Sequence, residues 1–299
     1  MSPSYLPGER PPVPPDVGPR GPDRKNRDHI RPARTDGGLV WLRLAGRGAT
    51  RVWLFVVLFL VWWFWSAGSK SLYFPPLSQI LKSVWDQWVI GPARAQLATS
   101  LEHLLVGYVI AGLVGIGVGA LLWSLRYLRD ATSPYLYFLY VLPAPVLVPA
   151  AMTLFGIGFT MKVVLIAFAA VWPTLLNTLD GMSGVDQVKL DTARVLGVSP
   201  AGRVFRVVLP AAAPQIVAGL RNSLQVAIIL MVVSEWQAAS DGIGYYISNA
   251  QQSFDYVGMW SSFIVLAIIG IIANLLFVAA ENRALHWHYG ARAVEGRNR

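Results

Sequence analysis

The stretch SGVDQVKLDTARVLGVSPAGRVFRVVLP, residues 183–210, separates two long apolar runs, and its reading decides how the rest of the chain is read. Ser183 with Asp186 forms a Ser-x-x-Asp start signal, in which a hydroxyl accepts from an orphan amide and a carboxylate faces the positive end of a helix. Gly197 stands where a helix C-terminus takes a left-handed residue. Ser199 then caps a second helix whose first residue, Pro200, already has helical φ and no amide to lose. Val185, Val188, Ala193 and Leu196 fall mostly on one face of the first helix, while Lys189 and Arg194 stay polar. The pattern predicts a rigid helix–glycine–helix hook exposed beside a membrane.

Working outward, the flanking runs are long enough to cross that membrane. A span needs about 20 mostly apolar residues for some 30 Å of hydrocarbon. Six runs qualify, at 48–67, 97–124, 133–156, 160–180, 214–239 and 258–280. Pro143, Pro145, Pro149 and Pro173 lie inside the third and fourth, where neighbouring helices are expected to satisfy the freed carbonyls. Only 14% of the 299 residues are charged and 55% are apolar, against about 25% charged in soluble domains. That excludes an ordinary cytosolic enzyme. The sequence holds no cysteine, which excludes disulfides and thiolate chemistry.

The net charge of +9 would suggest nucleic acid in a soluble chain. Here its distribution matters more. Residues 1–51 hold ten Lys and Arg, 125–132 two, 181–213 four, and the end after Glu281 four. The opposite segments hold Lys70, Lys82, Arg94 and Lys162, leaving Arg221 inside a run. Twenty against four places both termini and the hook on the cytoplasmic side, and no nucleic-acid partner is expected. The expected organisation is a Pro/Arg-rich disordered tail at 1–47, a membrane domain at 48–282 and a short basic tail at 283–299. Nine of the 20 prolines fall in the first 36 residues, a composition that cannot bury enough apolar surface to offset ordering.

Within the second run, Gly107, Ala111, Gly115 and Gly119 repeat every four residues, a face on which another backbone can approach closely. Whether that face packs within one chain or between two is open. A carboxylate at a helix centre costs about 2.5–3.5 kcal/mol on insertion scales, so Glu235, beside Ser234, is a candidate for a gate or an interhelical bond near the outer mouth. Asn222, Ser223 and Gln225 are further candidates for lining a path. Glu102-His103 is expected near the outer interface. Arg221 lies too far along the same helix to reach Glu235, and a bond to the hook is its sharper option. His286-Trp287-His288 lacks supporting ligands, so no metal site is assigned.

A resemblance follows from these residues. Asp191-Thr192-Ala193-x3-Gly197-x9-Val207-x-Leu209-Pro210 resembles the Glu-Ala-Ala-x3-Gly-x9-Ile-x-Leu-Pro loop of permease subunits of binding-protein-dependent ABC importers, with Asp for Glu and Thr for Ala. Phe74-Pro75-Pro76-Leu77-Ser78, Val148-Pro149, Leu154-Phe155-Gly156, Trp172-Pro173-Thr174 and Ser234-Glu235 with Gly242-Ile243-Gly244-Tyr245 are similar to the nitrate/sulfonate/taurine/bicarbonate branch. The resemblance implies an all-α membrane protein of six transmembrane helices in the MetI-like permease fold, in a bacterial inner membrane. It implies an ATPase-coupling loop that includes Asp191, Thr192, Ala193, Gly197, Ser199, Pro200, Leu209 and Pro210. Two copies of a cytoplasmic ATPase, an extracytoplasmic solute-binding protein, a second permease copy and membrane lipid are the implied partners.

No Gly-x4-Gly-Lys-Ser/Thr loop occurs in these residues, so ATP and Mg2+ are expected in the partner ATPase and none in this chain. The expected solute is small and anionic, containing nitrogen or sulfur. An uncharged vitamin or its precursor is the alternative. From a different class, so is an ion-gradient-driven secondary transporter, which the sparse midplane charge argues against.

Overall fold

The computed structural model describes residues 53, 54, 56–237 and 240–286. The tail at 1–47, the start of the first apolar run, and Trp287-His288 with the rest of the C-terminal tail lie outside the described residues. The chain divides into Met1–Leu58 and Phe59–Arg299. In the first unit the described residues 53, 54 and 56–58 are helical.

Helix α1 covers Val56–Ala67. In the second unit Ser66 Oγ accepts from the Leu77 amide at 3.1 Å, which fixes the start of α2 (Leu77–Ser83) directly after Pro76. A π-helical turn, Val84–Val89, extends α2 and buries Trp88, whose indole donates to Ser261 Oγ at 3.2 Å.

Three long helices build the core: α3 (Ala93–Ser124), α6 (Phe159–Ser183) and α9 (Leu209–Gln237). α6 is the central one, with 67% of its most apolar window buried against 33% for α3. A Cβ at Gly107, Gly115 or Gly119 would stand 2.7–2.9 Å from Ile166, Thr174 or Thr178, and Ala111 is buried. The four-residue stripe therefore packs α3 on α6 within one chain, which resolves the open alternative. The matched numbers rise together, so α3 and α6 run parallel. On the other flank Gly219 meets Asn177 and Gly181 meets Gln215, so α9 runs antiparallel to α6.

Parallel neighbours need a return segment, and α4 (Arg126–Val141) with α5 (Val148–Phe155) supplies it. The third run, expected as one span over 133–156, is instead two helices bent by 85°. Leu142 is extended ahead of Pro143, itself at φ −65° and ψ 102°. Proline disfavours helical geometry at the preceding residue and cannot donate in the next turn, so the helix ends there. Packing satisfies an isolated membrane proline such as Pro173, which stays inside α6, but not a break with Pro143, Pro145 and Pro149 in succession.

α10 (Ile243–Gln252) and α11 (Tyr256–Ala284) complete the described elements. Arg221 of α9 contacts Asn274 (3.4 Å) and Glu281 (3.7 Å) of α11 rather than the hook, which runs α11 antiparallel to α9. Among the described residues four helices are thus long and apolar enough to span, five with the bent pair. Of the six expected runs four appear as single long helices, the third is the bent pair, and the first is described over only part of its length.

Candidate functional site

The hook carries two short helices, α7 (Gln187–Val195) and α8 (Pro200–Arg203), continued by a π-helical turn over Val204–Val208 into α9. Its turns are closed by its own residues. Asp186 Oδ1 accepts from the Val188 amide at 2.9 Å, so Asp186 caps α7, while Ser183 is the last residue of α6. That corrects the expected Ser183 cap, and the reason is that α6 keeps its helical bonds to its final turn. At the other end of α7, Gly197 has φ +70°. Its amide bonds the Arg194 carbonyl at 3.0 Å and the Val198 amide bonds the Ala193 carbonyl at 3.0 Å, the paired bonds of a Schellman ending. Ser199 Oγ accepts from the Gly202 amide at 3.2 Å, with Pro200 in the first helical position.

Within this frame Asp191 accepts from Gln187 and Arg194 (2.6 Å to Nη1), and the Thr192 hydroxyl donates to the Val188 carbonyl. Ala193 is buried, and Met182, Val208 and Ala212 pack with the half-buried Val185, Leu190 and Leu209. Pro210 follows inside α9. Of the apolar residues assigned to one face of the first hook helix, Ala193 is buried and Val185 half-buried, while Val188 and Leu196 are not. Val188 is exposed, Leu196 is 74% exposed and Val195 89%. Leu196 and the exposed Phe205 give an apolar rim to a groove of about 600 Å³ that Gly197, Ser199, Gly202 and Arg206 also border.

The opposite end of the bundle holds a buried polar network. Glu235 is fully buried. It accepts from Ser100 Oγ at 2.7 Å and from the Gly244 amide at 3.1 Å. His103 Nδ1 lies 3.0 Å from its other oxygen, a contact that requires the proton on Nδ1 when the carboxylate is ionised. Ser100 Oγ in turn accepts from the Ile243 amide at 2.8 Å, and Gln96 Oε1 from the Gly242 amide at 2.6 Å. The orphan amides that open α10 are thus capped by side chains of α3 and α9. Gly242 has φ +97°, and any Cβ there would collide with the Glu235 carboxylate.

Nearby, Lys162 of α6, fully buried, pairs with Asp241, whose side chain is 42% exposed. Of the two roles open to Glu235, a gate or an interhelical bond, the bonds to Ser100 and His103 of α3 are present. His103, expected at the outer interface, is buried, while Glu102 is exposed. The Lys162–Asp241 pair had no local signal, because 79 positions separate the partners.

The remaining path candidates divide by face. Asn222 and Gln225 are exposed. Ser223 is buried and donates to the Ala170 carbonyl, and Ser234 donates to its own helix at Met231. A cavity of about 190 Å³ lies beside the break in the α4–α5 return, among Tyr140, Leu142, Ala144, Phe168 and Trp172. The Trp172 indole nitrogen is buried without a partner among the described residues.

Residues 107–284 match the model of the family described as binding-protein-dependent transport system inner membrane component. The chain is 30% identical over 241 residues to the taurine transport system permease protein TauC of Escherichia coli (strain K12), covering 78% of this chain and 87% of that one. It is 27% identical to the nitrate import permease protein NrtB of Leptolyngbya laminosa, covering 76% and 85%. Among solved structures, a chain of the inward-facing MetNI methionine ABC transporter superposes with a TM-score of 0.55 at 19% identity, over 67% of this chain and 96% of that chain, a likeness of fold. With the matched family model spanning the C-terminal part of α3, the hook and all of α6, α9 and α11, the chain belongs to the binding-protein-dependent transport system inner membrane components: it is an ABC importer permease, a transport subunit of the inner membrane and not an enzyme.

Proposed function

We propose that this permease passes a small oxyanion, with the hook at 183–210 docking on a cytoplasmic ATPase. The observation that carries the reading is the hook itself, an exposed apolar rim held rigid by caps on both of its helices. Exposed apolar surface rimmed by polar residues marks an interaction site. A rigid hook transmits motion where a flexible one would absorb it. ATP and Mg2+ belong to the docked ATPase, present in two copies. ATPase closure and release would favour different permease orientations, and the solute path would follow that change.

The side assignment rests on charge: 20 of 25 Lys and Arg lie in the hook-side segments, which supports cytoplasmic termini. A binding protein would then deliver solute at the end carrying Glu235, whose network ties α10 to α3 and α9 as one docking platform. Non-helical backbone at membrane depth is tolerated only against protein or a watery path. The broken α4–α5 return therefore supports a second permease copy facing it, as a homodimer. Taurine and nitrate, named for the relatives, share a delocalised oxyanion head, which supports a solute of that class.

The test is reconstitution of the permease with its ATPase and binding protein in liposomes. Gly197→Val should leave the chain folded and inserted but abolish solute-stimulated ATP hydrolysis, because a β-branched residue is strained at φ +70°. Full stimulation in that variant would overturn the hook's assignment. Uptake driven by a proton or sodium gradient without ATPase would overturn the importer reading.

A further inference from the structure

The hook borders a second cavity. It measures about 430 Å³ and lies between the C-terminal end of α3 and the two hook helices, bordered by Trp123, Ser124, Leu190, Arg194, Pro200 and Arg203. Two guanidinium groups share it, and they are not equivalent. Arg194 has a counter-ion, Asp191, at 2.6 Å. The Arg203 guanidinium has no hydrogen bond or ion pair among the described residues, and its Nε is buried without an acceptor.

A buried donor left unmade is costly, and more so on a charged group. Ser124 on the cavity wall turns its hydroxyl to the Ala120 carbonyl at 2.9 Å, and no acceptor among the described residues reaches Arg203 Nε. The free fork of Arg203 is thus the unused recognition element of this cavity.

A guanidinium offers parallel donors that match phosphate oxygens two at a time. Apart from Ser124 the rest of the wall is apolar, with Trp123, Leu190 and Pro200, and tryptophan at the end of a membrane helix belongs to the headgroup level. We propose that this cavity binds a phosphate group, with Arg203 as the bidentate partner and Arg194 as the second cation. The apolar walls fit the phosphate of an anionic lipid headgroup, and basic pockets between helices on an anionic leaflet have that chemistry. Inorganic phosphate is the other source. The proposal rests on membrane placement and not on ATPase docking, so it is read on the permease alone.

The experiment follows thermal unfolding of the full chain in zwitterionic detergent with added phosphatidylglycerol, phosphatidylcholine or inorganic phosphate. Retained lipid is counted in parallel by native mass spectrometry. Phosphatidylglycerol should raise the midpoint and phosphatidylcholine should not. Arg203→Gln should weaken the apparent affinity about tenfold, the loss of a charged hydrogen bond. Arg203→Lys, which keeps the charge but not the fork, should fall between, and Arg283→Gln should bind as the native chain does.

The same midpoint rise with inorganic phosphate alone would assign a free anion. A rise with phosphatidylglycerol alone would assign the lipid. Equal responses to both lipids, or an undiminished response in Arg203→Gln, would overturn the site. Should Arg203→Gln fail to fold, undiminished binding in Arg203→Lys and Arg194→Gln together would do so.

Discussion

The two ends of the helix bundle are built by opposite means. At the hook each decisive bond joins residues a few positions apart: Asp186 to Val188, Val198 to Ala193, Ser199 to Gly202. At the other end Gln96, Ser100 and His103 meet Glu235 and the opening amides of α10 across 132 to 146 positions. The hook is exposed and the network is buried. A device that must present itself to another protein gains from local closure, since its turns are held by its own residues. A junction of helices has the reverse design: no member is satisfied unless all the helices are in place. The contrast implies that damage at the hook should uncouple without unfolding, whereas damage at the network should unfold.

The largest effect should come from Glu235→Ala. It strands the donors of Ser100, His103 and Gly244 in a buried site, at a cost of about 3–5 kcal/mol. Thermal unfolding in detergent should show a collapse of the midpoint, with little protein reaching the membrane. A near-native midpoint would break the contrast between the two ends. Next comes an asymmetry within the Lys162–Asp241 pair. Asp241→Ala leaves a fully buried ammonium without its counter-ion, holding only the residue 241 carbonyl at 3.4 Å, and should cost about 3 kcal/mol. Lys162→Met leaves a carboxylate that is already 42% exposed, which water can serve, so about 1 kcal/mol is expected. Unfolding midpoints of the two variants, measured together, check the order. Equal costs would mean that burial does not set the energetics of this end.

The same contrast explains what the sequence reveals. The helix–glycine–helix hook, Gly197 as its left-handed stop and Ser199 with Pro200 as its second start are legible because their signals lie within one or two turns. The stripe Gly107–Gly119 shows a packing face, but its partner residues Ile166, Thr174 and Thr178 carry no marker of their own. Glu235 stands out as a carboxylate in an apolar run, yet its partners on α3 do not, and His103 reads as interfacial until α3 is placed beside α9.

Lys162 next to Asp241 is a tertiary fact alone. The break at Pro143 is a competition between two rules, the tolerance of membrane helices for proline and the refusal of the residue before proline to be helical. With Pro145 and Pro149 following at once, the second rule wins. The cap of α7 turns on a similar competition: Ser183 has the right chemistry, but α6 claims it, and Asp186 takes the role.

The smallest effects should lie in the hook's own closures. Ser199→Ala removes one cap, worth about 1 kcal/mol, and that loss should stay inside the α8 turn. Asp186→Ala should behave likewise at α7. Because the bonds lost join neighbours, the global unfolding midpoint should not move. The signature is instead a faster cut of the hook by limited proteolysis, since local opening of a weakly held segment draws on its own free energy and not on the bundle's. A fall in solute-stimulated ATP hydrolysis should accompany it, smaller than that of Gly197→Val, because one cap is lost where the glycine change strains the turn between both helices. A midpoint shift as large as that of Lys162→Met would mean that the hook is knitted into the bundle. Its local closure would then not be what lets it act as a separate docking element.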